Sequence, residues 1–254
     1  EDFQIVTGCQ TSNVLFEYSG NIEDVMIPLR LISTDNDDVI QSIVKATNQQ
    51  TQLTREQLFA ATEFPKKLEQ FCKTYDAPHQ IFYERRSRQY DRTSIDKTRI
   101  ITQANMIRAF AGMFLEEPHR TTRNFNALLD KAGIDLFAPD QKLDPYYVAA
   151  YTLYRLERLF KAGAIDTTFK AARYQILFAF RRMVNRDPLP RLNSGEMETY
   201  CKKIIDVLWD TPTSDALIKH ASEVVFRMTG GNMHRDNIRT VDVTRAIKNY
   251  PISA

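Results

Sequence analysis

Three stretches of this chain carry side chains whose types and spacing suit work on phosphates. In Tyr83-Glu84-Arg85-Arg86-Ser87-Arg88-Gln89-Tyr90-Asp91-Arg92, four arginines fall within eight residues and lie between or beside two tyrosines. Forked guanidinium groups match phosphate oxygens, and tyrosine rings give bases a surface to stack on. Tyr83, Arg85, Arg86, Arg88, Tyr90 and Arg92 are therefore candidate nucleic-acid contacts. The plainer alternative is a solvated run paired internally with Glu84 and Asp91. The second stretch is Phe3-Gln4-Ile5-Val6-Thr7-Gly8-Cys9-Gln10-Thr11-Ser12. A glycine turn at a helix N-terminus offers unpaired backbone N–H groups and the positive end of the helix dipole. That makes Gly8, Cys9, Gln10 and Thr11 candidate ligands for a phosphate or nucleotide, against an ordinary turn in which Thr11 or Ser12 caps its own helix. The third is Asn48-Gln49-Gln50, whose amides carry donors and acceptors for a phosphate or a base edge. A plain polar loop has the same composition.

Other chemistry lacks its residues. His79, His119, His220 and His234 show no metal-ligand spacing, and Glu84 with Asp91 has no third acidic ligand spaced to complete a metal site. No H-E-x-x-H, G-x-S-x-G or G-x-x-x-x-G-K-[ST] occurs. Glu116, Glu117 and His119 cluster at an expected helix end, which reads as a polar terminus with a satisfied histidine. The sequence names no metal and no cofactor, and contains no complete catalytic constellation.

The elements that must position these residues follow from periodicity. Phe3–Val6 reads as a buried strand, and Val14, Leu15 and Tyr18 recur at helical spacing after the glycine turn. Val25–Ile32 is apolar with Pro28 inside it, which predicts an edge strand or a bulge. Asp35-Asn36-Asp37-Asp38 opens a helix whose buried stripe is Val39, Ile40, Ile43 and Val44. Thr54-Arg55-Glu56-Gln57 has the capping-box spacing, and Pro65 is expected to kink or break the helix that follows, after Phe64. Ile81-Phe82-Tyr83 predicts a third strand. From Thr102 the periodicity is helical. Met106, Ile107, Phe110, Met113 and Phe114 form one stripe, followed by helices over 121–131, 146–160, 167–184, 196–208, 214–228 and 242–249. Gly133 and Gly230-Gly231 are stops, and Asp187-Pro188-Leu189-Pro190 is the best linker.

Composition bounds the rest. A chain of 254 residues with 43% hydrophobic and 26% charged residues can build a real core beneath a charged surface. Only eight glycines favours helices over many hairpins. Three scattered cysteines without C-x-x-C, no signal peptide and no apolar run of membrane length predict a reducing, cytoplasmic setting and no membrane partner. The chain opens at Glu1, directly before an apolar strand, and reads as a fragment or an excised domain. The net charge is only +2, but residues 155–191 hold nine bases against three acids, while residues 1–40 hold eight acids against Arg30. Solvated helix faces or a nucleic-acid footprint would both produce that asymmetry.

Ile5-Val6-Thr7-Gly8-Cys9-Gln10-Thr11 resembles the I-V-N-G-x-Q-T signature of bacterial abortive-infection phage-resistance (AIPR) proteins, with Thr7 in place of the usual Asn. Thr47–Thr51, Tyr83–Asp91, Ile107–Phe110 and Phe114-Leu115-Glu116-Glu117-Pro118-His119 match the same family in order, so the resemblance runs over about residues 3–185. A more distant similarity is to ParB-like domains with D-G-Q-H-R. There Thr11-Ser12 replaces the H-R pair and removes the cation that would face a triphosphate.

The fold expected is an α/β (α+β) N-terminal unit with a small mixed sheet, followed by a mainly α-helical domain. Its parts are a ParB-like unit over 1–100, a helical region over 101–187 and a helical extension over 188–254. The resemblance implies an antiphage, abortive-infection protein, with any nuclease activity in a segment before Glu1. The residues add nucleic acid, DNA or RNA, as the expected partner, with a nucleotide as a second ligand class, and a homo-oligomer is compatible with the sequence. The rival readings are a ParB-like nucleotide-binding switch or hydrolase and a helical protein-interaction module.

Overall fold

The computed structural model describes residues 9–18, 20–28, 32–34, 36, 39 and 62–251. The chain divides into two compact units, Glu1–Thr54 and Arg55–Ala254. In the first, helix α1 spans Cys9–Glu17, as the spacing after the glycine turn predicts. Val25–Ile32 differs from expectation, because residues 25–28 form no strand and Met26 and Ile27 are exposed. Pro28 donates no ladder hydrogen bond, and none of these residues enters a described sheet. The Phe3–Val6 strand, Gly8, Asn48-Gln49-Gln50, most of the helix after Asp35 and the Thr54–Gln57 capping box lie outside the described residues.

The second unit begins with α2, Glu63–Lys73, which buries Phe64, Pro65, Leu68 and Cys72. Pro65 does not break this helix. It sits in the first turn, where backbone N–H groups have no intrahelical acceptor and a proline loses nothing. Strand β1, Phe82–Glu84, pairs in parallel with β2, Ile100–Thr102, with Tyr83 opposite Ile101. The sheet has only these two strands among the described residues. Arg99 holds the crossover in place. Its guanidinium donates to the carbonyl oxygens of Ala77, Pro78 and Gln80 at 2.7–3.2 Å and lies over the Tyr154 ring at 4.7 Å.

Helices build the rest. They are α3 (Gln103–Met113), α4 (Phe125–Leu129), α5 (Asp144–Lys161), α6 (Arg173–Val184), α7 (Gly195–Trp209), α8 (Thr211–Met228), α9 (Arg235–Ile238) and α10 (Val241–Asn249). Thr102 caps α3 by accepting from the Asn105 N–H. Helix α5 is buried along most of its length and packs against α3 and α7, while α6 packs on α3 and α8. Phe110 stacks on Tyr146 at 3.8 Å between ring centres, and Phe137 and Phe64 close round the same ring. The aromatic stripes are thus core. Asp187–Pro190 lies within this unit, and Asn185 and Tyr200 hydrogen-bond each other's carbonyls on either side of it.

Two expected helices are shorter than their periodicity suggests. Within 121–131 only Phe125–Leu129 is α-helical. In 167–184, Asp166 caps a 3-10 segment, Thr167–Ala172, before α6 starts at Arg173. No helix of the described residues is long and apolar enough to cross a membrane.

Candidate anion-binding surface

The structure sorts the arginine–tyrosine segment into structural and exposed members. Tyr83 is fully buried in the core, so its ring gives no face to a base. Arg85 is largely covered and donates through Nε to Glu69 at 3.2 Å. Glu69, on α2, also accepts from Gln89 at 2.6 Å and Lys73 at 2.9 Å. Burial raises the Glu69 pKa, but Lys73, Gln89 and Arg85 outweigh it and hold the carboxyl below its ordinary range. This hub pins the loop after β1. Tyr90 is half-buried edge-on to Phe82. Arg88, at a left-handed φ of 63°, pairs with Asp91 at 2.6 Å. Arg86, Arg88 and Arg92 are exposed. Of the proposed phosphate-binding turn, Cys9, Gln10 and Thr11 lie in the first turn of α1, and their side chains are outside the description.

The nine bases of 155–191 divide in the same way. Arg155, 4% exposed, crosses from α5 to α8, where it pairs with Asp215 and donates to Thr211. Arg181, 2% exposed, pairs with Glu116 at 2.5 Å. Removing either charge would strand its partner in a poorly hydrated place, so both serve the fold. Arg158 donates to Tyr154, and Lys161 lies 3.6 Å from Asp96. Lys170, Arg186 and Arg191 face solvent, and Arg182 is half-buried.

Lys170 and Arg173 meet two arginines that come from much later in the chain. With Arg235, Arg239, Thr122 and Tyr174 they line a cavity of about 210 Å³. No lining residue is acidic. Arg173 has a partner outside the lining, Glu157, at 3.1 Å. The cluster is built by three local devices. The 3-10 segment capped by Asp166 ends at Ala172 and delivers Lys170 and Arg173 on either side of the helix start. Gly230 and Gly231, at φ of 64° and 77°, turn the chain back after α8, a conformation that costs other residues more. Gln175, buried on α6, then donates to the carbonyls of Pro118 and Ile238, which ties α9 and its arginines to α6. Four cations facing one small cavity is an anion site in its chemistry, and its size suits a phosphate group. The basic run flagged Lys170 and Arg173. Arg235 and Arg239 carried no comparable signal, beyond a spacing of four that puts them near one another at the end of a short helix.

The Glu116-Glu117-Pro118-His119 motif is placed at the end of α3. Glu117 pairs with Lys131 at 2.9 Å and Arg120 at 3.5 Å, and His119 Nδ1 lies 3.2 Å from the Thr244 hydroxyl. Burial, then Arg120, lowers the His119 pKa. His119 is the satisfied histidine that the sequence suggests, while Glu117 is paired through Oε1 and its Oε2 is buried without a hydrogen-bond partner. Glu116 is different. It adopts a φ of 56°, in a region that costs a non-glycine residue about 1–2 kcal/mol, and its carboxylate bridges Arg181 and Lys248.

A model of the family described as AIPR protein matches residues 1–226. Neither the curated proteins nor the solved structures yield a match.

Proposed function

The chain belongs to the AIPR family, and on that premise we propose that it acts in antiphage defence of the abortive-infection kind by binding nucleic acid through its phosphate backbone. One observation carries the biochemical half of this reading. Lys170, Arg173, Arg235 and Arg239 converge on one cavity with no carboxylate in its lining. Proteins normally intersperse acids among surface bases, so a cluster whose lining holds no acid produces a local positive potential that attracts polyanions. Arg86, Arg88 and Arg92 add exposed guanidinium groups in the same unit. The Gly8 turn and the Asn48-Gln49-Gln50 amides belong to the same reading, supported by their residue types and spacing.

Contacts of this type position a backbone without reading sequence. DNA and RNA oligonucleotides of unrelated sequence are therefore expected to bind with similar affinity, and binding is expected to weaken steeply as salt rises. Fluorescence anisotropy with labelled single- and double-stranded oligonucleotides across a salt series tests it. No binding at low salt by the folded chain would overturn the proposal.

A further inference from the structure

Glu116 lines a second, larger cavity, of about 470 Å³, together with Arg181, Arg182, Arg186 and Lys248. We propose that this cavity binds a nucleoside phosphate, and that its phosphate takes the place of the Glu116 carboxylate between Arg181 and Lys248.

Four observations converge on it. First, Glu116 holds a backbone conformation that favours glycine, and a hydrogen bond from the Glu117 N–H to the Ala111 carbonyl at 3.0 Å closes the helix around it. A glycine would satisfy that turn without strain, so the glutamate is there for its carboxylate. Second, that carboxylate bridges two cations from different helices, Arg181 on α6 and Lys248 on α10, as the oxygens of a phosphate would. Third, the cationic side is not saturated. The Nε atoms of Arg181 and Arg182 are buried without a hydrogen-bond partner, and Arg182 has no ion pair among the described residues. Both carboxylates of the lining are already engaged, Glu116 with Arg181 and Lys248, and Asp187 with Lys203 at 2.7 Å. Fourth, apolar side chains, Leu115, Pro188 and Leu189, share the lining with the cations. A cavity of this size lined by both cations and apolar side chains fits a small ligand with a charged head and a flat body. Glu116 thus acts as an internal counter-ion that keeps Arg181 and Lys248 apart from solvent anions until a multiply charged one displaces it.

This inference is independent of the nucleic-acid site. Isothermal calorimetry of the folded chain with AMP, ADP and ATP, and with inorganic phosphate and pyrophosphate, tests it. At least one nucleotide is expected to bind more tightly than either inorganic anion. Arg182→Gln and Arg186→Gln should each weaken it about tenfold or more. Neither side chain is needed to neutralise Glu116, so melting curves should show both variants folded. Glu116→Gln removes the competing charge and should tighten nucleotide binding where that variant folds. Absence of nucleotide binding, equal affinity for phosphate and nucleotide, or unchanged affinity in both arginine variants would each overturn the proposal. So would loss of nucleotide binding in Lys170→Ala with Arg239→Ala but not in Arg182→Gln, which would move the nucleotide to the smaller cavity.

Discussion

Replacing Lys170 and Arg239 together by alanine removes two of the cations that face the acid-free cavity while leaving the core alone. Lys170 is exposed, with Nζ 5.9 Å from the Phe160 ring centre. Arg239 is half-buried at the end of a four-residue helix. Surface changes of this kind usually alter stability by less than about 0.5 kcal/mol, so a binding change would not be a folding change. The magnitude follows from counting charges. Arg173 is shared with Glu157, which leaves Lys170, Arg235 and Arg239 to displace counterions from a nucleic-acid backbone. At roughly −0.9 per phosphate on duplex DNA, these three contacts contribute about −2.7 to the slope of log affinity against log salt. Between about 50 and 200 mM salt that is a loss of roughly 40-fold. Arg86, Arg88 and Arg92 add to the slope in both proteins, so losing two contacts of the cluster lowers its magnitude by about 1.8 and reduces the salt-driven loss over the same range by roughly 12-fold. Anisotropy titrations at four salt concentrations separate these values. The two proteins should differ most at low salt and converge as salt rises. A double variant with the native slope would show that the cluster does not meet the backbone, and parallel lines offset in affinity would mean that the substitutions act by some route other than charge.

Arg86→Ala with Arg92→Ala should lower the affinity for oligonucleotides with a smaller slope change, read in the same assay, whereas Arg85→Ala should first destabilise the chain by releasing Glu69. Phe110→Ala removes a fully buried ring stacked on Tyr146 and should cost about 3–5 kcal/mol in a denaturant melt; no loss would place the stripe outside the core. Arg155→Met breaks the tie between α5 and α8 and leaves Asp215 short of its partner, with an expected cost on the order of 3 kcal/mol. Acid should weaken the fold through Glu69 and Glu116. For Glu116, burial raises the pKa, but Lys248 and Arg181 more than offset it and hold the carboxyl below its ordinary 4.5. A depressed folded pKa stabilises above the unfolded value and is lost as pH falls through the folded one. The urea midpoint should therefore drop on going below about pH 4.5, and Glu116→Gln should flatten part of that drop; a native midpoint constant down to pH 3 would refute it. Cys72 and Cys201 are buried, and burial pushes the Cys72 thiol up to about 12 and raises Cys201 as well. In a Cys9→Ser background neither should react with a thiol reagent at pH 8 until denaturant is added, and rapid labelling would show that this core opens.

Much of the architecture was legible in the residues one by one. Local signals fix local structure. The glycine pair after α8 and the apolar stripe from Met106 to Phe114 act within a turn or two of themselves. The strand at Phe82–Glu84 was visible for the same reason, though its partner was not. Ile100–Thr102 is three residues long and carries no periodicity to count, and only the parallel pairing makes it a strand. Pro65 misled because a proline signal depends on which turn of the helix it occupies.

The candidate sites divide along the same line. Sequence alone marks a segment as rich in arginine and tyrosine, or a run as basic, because composition is local. It assigns no role to any one charge. Arg85, Arg155 and Arg181 look like their neighbours in the sequence, yet each is covered and held by a carboxylate from another element, Glu69, Asp215 and Glu116. Tyr83 reads as a stacking surface and is core. Conversely, Arg235, Arg239 and Lys248 stand in unremarkable stretches, and they matter because α9 and α10 fold back onto α6 and the end of α3. The residue pattern determined most of the helices, and its motifs marked the family. Tertiary packing decided which charges are spent inside the molecule and which converge on open cavities, since Coulomb attraction and desolvation depend on distance and burial, and neither is a property of a residue's place in the sequence.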